Sequence, residues 1–201
     1  QLDWAIIEVS SLDEGDNLCK AYLTTAGGIV PTIVRLAKRI IIEINHFHSP
    51  DSRLLHDVYE CGEYPNRQPI PLLAVGDRIG TDHVEIDPRK IVGVVDCNIP
   101  EEARAFVDPN DSLTRIGQNV VDFFLSDMRA GHIPPTMFPI QSGVGTTGNA
   151  VMKAIGRCEG LPPMEVFSEV VQDAVVELIE QGKISQASAA AMTCTNECIQ
   201  H

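Results

Sequence analysis

The sequence predicts an α/β fold, with mainly parallel sheets flanked by helices. Three observations carry that prediction. From residue 136 onward, strand-like apolar runs alternate with helix-like runs. Ile40-Ile41-Ile42-Glu43-Ile44 is β-branched and too apolar for a half-exposed strand, which places it in the middle of a parallel sheet. A glycine-rich turn, Gln141-Ser142-Gly143-Val144-Gly145-Thr146-Thr147-Gly148, joins an apolar run at 136–140 to a helix-like run at 149–158.

Taken in order, residues 4–9 read as a strand closed by a polar loop over 10–17, and 19–24 as a second strand. Pro31 fits the first turn of a short amphipathic helix over 32–39. The isoleucine strand follows. Residues 45–68 are long and irregular and carry His46, His48, His56, Asp57 and Cys61. Three clustered histidines raise a metal reading, and His46-x-His48 suits a strand end. No ordinary zinc signature follows, so the adopted reading is a surface loop with hydrogen-bonded histidines and no metal.

Residues 69–80 hold a short apolar segment. Strands at 84–86 and 91–95 flank the turn Asp87-Pro88-Arg89-Lys90, and 100–111 is a loop. Asp111 or Ser112 caps a helix over 113–129, with Ile116, Val120, Phe123 and Phe124 on one face. Gly131 and Pro134-Pro135 end it, and the handover between two domains is placed there, at 133/134. Beyond the glycine turn and its helix come a strand over 164–168 ending on Glu169, a helix over 173–181 stopped by Gly182, and a strand over 185–192.

Composition bounds the function. The 201 residues carry a formal net charge of −13, which speaks against a general nucleic-acid surface, since phosphate binding needs clustered Lys and Arg. The hydrophobic fraction of 44% is enough to build a core, and no apolar run is long enough to span a bilayer. Six cysteines without a C-x-x-C pair read as reduced and mostly buried, which fits the cytoplasm or a mitochondrial-type organelle matrix. Asn110-Asp111-Ser112 matches a glycosylation sequon by chance. The chain lacks an initiator Met and enters a strand almost at once, so it is expected to be a piece of something longer.

The glycine turn must leave amide N–H groups free at a helix start, a geometry that binds anions and oxyanions. Gly143-x-Gly145-x-x-Gly148 also fits the dinucleotide fingerprint, with Glu169 where a ribose-binding acid could lie. A third reading is a tight turn whose glycines serve only backbone geometry and packing. The local pattern leaves all three open. The turn's position, after some six strand candidates, counts against the dinucleotide motif, which usually opens its domain.

Longer patterns narrow the choice. Gln141-Ser142-Gly143-Val144-Gly145-x-x-x-Asn149-Ala150-Val151, then Ser168-Glu169-Val170-x-Gln172-Asp173, resembles the acetyl-CoA hydrolase / acetate CoA-transferase family. That family's usual patterns are Q-S-G-[VI]-G-x-x-x-N-A-V and T-E-V-x-Q-D. Ile42-Glu43-Ile44-Asn45, His56-Asp57-Val58-Tyr59 and Ile86-Asp87-Pro88-x-Lys90-Ile91 agree in order upstream. The resemblance spans nearly the whole chain. Ser168 replaces the more usual Thr, Thr146-Thr147-Gly148 departs from the common filling, and a later glycine-rich loop of the family is not found.

The resemblance implies a CoA-transferase-like fold of two linked α/β domains with the site in the cleft between them. Residues 1–133 would be the C-terminal part of the first domain and 134–201 the N-terminal part of the second. It implies an acyl-CoA:carboxylate CoA-transferase of the acetate/succinate class, working through a glutamyl-CoA thioester. Acetyl-CoA hydrolysis is the near alternative and an NAD-type dinucleotide module the distant one.

Glu169 would be the nucleophile. Gly143, Val144, Gly145 and Asn149 would form the oxyanion and CoA-binding turn, with Asn149 either fixing the turn or touching ligand. Arg104 is a candidate to hold the acceptor carboxylate, against the plain reading of a surface arginine. Gln172 and Asp173 read as helix-capping residues. No permanently bound cofactor is expected, because coenzyme A enters as substrate. The expected partners are acyl-CoA and a small carboxylate, acetate or succinate, with no nucleic acid and no membrane; a homodimer is the assembly considered.

Overall fold

The computed structural model describes residues 2–25, 27–102 and 109–200. Arg104 lies outside the described residues. The chain divides into two compact units, one of Gln1–Leu73, Asp77–Glu101 and Ile199–His201, the other of Ala74–Gly76 and Glu102–Cys198.

The first unit holds β1 (Leu2–Asp13), β2 (Cys19–Leu23), α1 (Val30–Leu36), β3 (Ala37–Asn45), β4 (Val84–Ile86) and β5 (Ile91–Cys97). Its sheet runs β4-β2-β1-β3-β5. β3 lies between two parallel neighbours, as its isoleucine run predicts: Ile42 pairs with Ile7 of β1 and with Val94 of β5. The β1–β2 and β2–β4 pairings are antiparallel. Ala5, Ile7, Val9, Ile40 and Ile42 turn to one face and are buried with Leu23, Val34 and Ile86. Burying each large aliphatic side chain there is worth about 2 kcal/mol. Trp4 and Ile6 point the other way and are exposed. Within this chain β1 buries one face.

Two local expectations are corrected. Residues 10–13 are not loop: β1 bulges between Val9 and Ser11 and continues as a hairpin, pairing Ser11 with Tyr22 and Asp13 with Lys20. Its polar residues find partners across the hairpin. Ser10 Oγ donates to the Tyr22 carbonyl at 3.2 Å, and the Tyr22 hydroxyl donates to the Asp13 carboxylate at 2.8 Å. The helix predicted over 32–39 ends at Leu36, and Ala37 is already extended at φ −70, ψ 142. Lys38 and Arg39 belong to β3, where Lys38 pairs with Asp3 at 2.7 Å and Arg39 lies 5.2 Å from the centre of the Trp4 ring.

The second unit holds α2 (Asp111–Arg129), α3 (Thr146–Arg157), β6 (Met164–Val171), α4 (Asp173–Glu180) and β7 (Ile184–Met192). Asn110, rather than Asp111 or Ser112, caps α2, its Oδ1 accepting from the Leu113 N–H at 3.0 Å. β6 and β7 are parallel and joined through α4, with Val166 opposite Ala187. Val121, Met152, Ile155, Met164, Val166, Val175, Leu178 and Ile184 form the core.

The strand expected over 136–140 reduces to one parallel bridge between Ile140 and Val166. Pro139 has no N–H to give a ladder, and Met137 stands at φ 60. α2 packs closely on α3 at Gly117, where a Cβ would come within 2.5 Å of the Ala150 carbonyl oxygen. α2 and α3 accordingly fall in the same compact unit.

All six cysteines are free; Cys19 and Cys194 are buried and the other four half-buried, so fewer are buried than expected. Among the described residues, no helix is long and apolar enough to cross a membrane.

Candidate active site

The glycine turn leads from the Ile140 bridge into the first turn of α3. Gly145 precedes the helix at φ 145, ψ 173, a conformation open to glycine, and its carbonyl accepts the Asn149 N–H at 3.1 Å. Helix α3 therefore begins at Thr146, three residues earlier than the predicted 149. Gly148 has a second requirement. A Cβ there would stand 2.5 Å from the Gly143 carbonyl oxygen and 2.9 Å from Ser142 Oγ. The turn folds back on the helix so tightly that only hydrogen fits. Val144 is exposed, and among the described residues no hydrogen bond engages the N–H of Val144 or Gly145. Two adjacent amides at a helix start are thus available to an oxyanion.

β6 is fastened to this turn at several points. Ile140 donates its N–H to the Glu165 carbonyl at 2.9 Å, and its own carbonyl accepts from Phe167 at 3.0 Å. Ser168 Oγ donates to the Ser142 carbonyl at 3.2 Å. Gln172, buried before α4, directs Nε2 to the Gly143 carbonyl at 3.4 Å. The strand on either side of Glu169 is held against the turn, and Glu169 itself is exposed.

Glu169 lies inside β6 and does not end it: Val170 pairs with Ala191 and Val171 with Met192 before the chain enters α4. The ribose-binding acid of a dinucleotide fold closes its strand, so this placement does not favour the NAD reading. Phe167 shares the Glu169 face by the two-residue period of a strand and is 55% exposed. An apolar ring is therefore the carboxylate's neighbour on an open face.

Asn149 is buried, and its Oδ1 has no hydrogen-bond partner; the same holds for Gln172 Oε1. Two buried amide oxygens without donors beside the turn are unusual, since buried acceptors are nearly always satisfied. Sequence reasoning read Gln172 as a capping residue, but its side chain makes no cap and reaches back to Gly143. Asp173 instead accepts from the Thr195 N–H at 3.1 Å and the Thr195 hydroxyl at 2.6 Å.

The other strand end singled out by sequence, Glu43-Ile44-Asn45, belongs to the first unit. Asn45 is fully engaged: Nδ2 donates to Glu8 Oε1 at 2.6 Å and to the Ile99 carbonyl at 2.8 Å. Its Oδ1 accepts from the N–H groups of Phe47 and Ile99. Desolvation, followed by a hydrogen bond to Glu43, pushes the Cys97 thiol up to about 11. The three histidines take separate partners. His46 Nε2 lies 2.8 Å from Asp96, and His56 Nε2 lies 2.5 Å from the Thr24 carbonyl oxygen. His48 turns inward between Glu8 and Glu101.

Known proteins are similar to this chain in sequence and in fold. No family model matches the sequence. The chain is 41% identical over 198 residues to a propanoyl-CoA:succinate CoA transferase of Escherichia coli, covering 98% of this chain and 40% of that protein. It is 32% identical over 201 residues to a succinyl-CoA:acetate CoA-transferase of Clostridium kluyveri, covering 99% and 36%. An acetyl-CoA hydrolase of Neurospora crassa is 30% identical over 191 residues, covering 95% and 35%. The chain thus spans about 40% or less of the length of these relatives.

In structure it is similar to a 4-hydroxybutyrate CoA-transferase from Porphyromonas gingivalis, with a TM-score of 0.60 at 19% identity, over 99% of this chain and 42% of that one. RipA from Yersinia pestis gives 0.63 at 16%, over 98% and 37%. These two likenesses concern the fold and support the α/β class. In sequence, nearly all of the chain is similar to part of two CoA-transferases and of an acetyl-CoA hydrolase.

Proposed function

We propose that the protein carrying this chain is an acyl-CoA:carboxylate CoA-transferase of the acetate/succinate class, with Glu169 as its nucleophile. The observation that carries the assignment is the fastening of β6 and the residue after it to the glycine turn, at Ser168 and Gln172, on both sides of Glu169. It holds a carboxylate and a pair of unengaged amides in one unit.

In the proposed cycle the Glu169 carboxylate attacks the thioester carbonyl and CoA leaves as thiolate, giving an acyl-glutamyl anhydride. The thiolate then attacks the glutamyl carbonyl, which releases the first carboxylate and leaves a glutamyl-CoA thioester. The acceptor carboxylate attacks that thioester and reverses the sequence. Each tetrahedral intermediate bears an oxyanion, for which the Val144 and Gly145 amides are the donors; losing one such donor typically costs about 3 kcal/mol. Gly143 gives the backbone close approach, and Asn149 Oδ1 offers an acceptor to an N–H of the ligand. Arg104 is proposed as the cation for the acceptor carboxylate.

In this reading residues 1–133 belong to the first of two linked domains and 134–201 to the second, coenzyme A is a substrate, and no cofactor stays bound. Six free cysteines support a reducing compartment, the cytoplasm or an organelle matrix. A homodimer is the proposed assembly.

Acetyl-CoA hydrolysis is the second reading, supported by the Neurospora relative: water would intercept the same glutamyl intermediates. The deciding assay follows acetyl-CoA loss with and without succinate. The transferase reading expects succinyl-CoA and a rate that depends on succinate; an unchanged rate with no succinyl-CoA would sink it. Borohydride reduction after incubation with acyl-CoA should mark Glu169 in the mass spectrum. Full activity in Glu169→Ala would remove that residue from the mechanism.

A further inference from the structure

We propose that Glu8, His48 and Glu101 form a binding site for a divalent cation of the zinc size. The three residues lie wholly within the first unit. Glu8 sits one residue before the last parallel pair of β1 and β3, Val9 with Ile44. Asn45 closes β3, and the turn after it, with the His48 N–H on the Asn45 carbonyl at 3.2 Å, swings the His48 ring inward. Phe47 meets that ring edge-on at 5.4 Å.

The histidine is what lifts this cluster above a pair of surface acids. His48 is 2% exposed, and neither ring nitrogen makes a hydrogen bond. Nε2 faces Glu101 Oε1 at 3.4 Å and Glu8 Oε1 at 3.9 Å. These contacts are close enough for attraction between charges but are not aligned as hydrogen bonds. An imidazolium ion pair at this site would be poorly made, with both donors buried and unaligned. A buried polar group in that state normally has a missing partner.

A shared cation supplies one. One ligand atom from each of the three residues lies within 4.8 Å of the others. Zinc holds nitrogen and oxygen ligands at about 2.0–2.2 Å, so tetrahedral neighbours stand roughly 3.4 Å apart. The His48–Glu101 separation already equals that, and the others need only modest closure.

The carboxylates are held for the task. Asn45 Nδ2 donates to Glu8 Oε1 at 2.6 Å, and Thr25 Oγ1 donates to Glu101 Oε1 at 2.6 Å. Such bonds orient ligating carboxylates. Two carboxylates and a neutral imidazole bring two negative charges, which a dication balances. The N,O,O set suits zinc or another first-row divalent ion, with solvent completing the coordination. The cation would pin the end of β1 to the β3 turn and to the segment reaching Glu101.

The test uses the full protein stripped by chelator and then titrated with Zn²⁺ against a chromophoric indicator. Thermal melting with and without Zn²⁺ is a second readout. One equivalent should bind and raise the melting temperature. His48→Gln and Glu8→Gln should each weaken binding by more than about tenfold and abolish the thermal shift, since even partners of metal ligands cost tenfold or more when lost. His46→Asn, which removes an exposed histidine beside Asp96, should leave both readouts unchanged. Should His48→Gln fail to fold, Glu8→Gln and the wild-type stoichiometry still decide. No bound equivalent, or equal affinity in wild type and Glu8→Gln, overturns the proposal.

Discussion

Ser168 Oγ donates a hydrogen bond to the Ser142 carbonyl at 3.2 Å across 26 residues of sequence, tying the strand that carries Glu169 to the turn that carries the free amides. Removing it in Ser168→Ala should lower stability by about 1 kcal/mol, the net worth of one such bond. Under the proposed function, turnover should fall more than stability does, because the bond fixes Glu169 relative to the proposed amide donors. Ser168→Thr keeps the hydroxyl and should keep both. Melting curves alongside acetyl-CoA turnover check this.

Gly148→Ala places a methyl 2.5 Å from the Gly143 carbonyl oxygen, so the turn must shift. The expected outcome is a folded protein, destabilised by about 1–3 kcal/mol, the range for overpacking, with acyl transfer reduced at least tenfold. Circular dichroism combined with a transfer assay separates the two effects. Unchanged activity would mean that the turn's geometry is not what catalysis uses.

Asn45→Ala removes four hydrogen bonds at the end of β3 and leaves the Ile99 and Phe47 amides without their acceptor. A loss of about 2–4 kcal/mol is expected, because four part-buried bonds of roughly 0.5–1.5 kcal/mol each are lost together. Denaturant titration measures it, with an unchanged m-value if the fold survives.

Cys97 offers a pH prediction. Its thiol is raised from 9.0 to about 11 by desolvation, then by the Glu43 carboxylate. The folded state holds this proton more tightly than the unfolded chain does. The resulting stabilisation is complete below pH 9 and is lost as pH rises through about 11. Iodoacetamide should therefore modify Cys97 slowly at pH 8 in the native protein and fast once urea unfolds it. Rapid native alkylation at pH 8 would contradict this environment.

The sequence made some parts of this fold legible and hid others for physical reasons. The second half reads well because amphipathic helices and glycine stops are local signals: α2, α4 and β7 fall within two residues of expectation, and β6 runs three residues past it. The strand over 136–140 misled because its apolarity suggests a ladder that Pro139 forbids. The hairpin over 10–13 was missed because its polar residues are satisfied by Tyr22 and Lys20, partners that only tertiary structure supplies. No glycine or proline marks the step from α1 to β3. At the candidate site the turn and Glu169 stood out by pattern. Gln172 reads as a capping residue until its bond to Gly143 is seen, and Glu8 and Glu101, far apart in sequence, gave no signal at all.

Gly117 has a use beyond packing. Because its missing side chain lets α2 approach α3 at Ala150, a methyl there would act as a wedge. The push would fall on Ala150, one turn into α3, and under the proposed function would test how the amide pair responds without altering a residue assigned to the site. A graded series at this one position, Ala then Ser, is thus a mechanical dial on the geometry of the amide pair, and a route to temperature-sensitive forms of the protein.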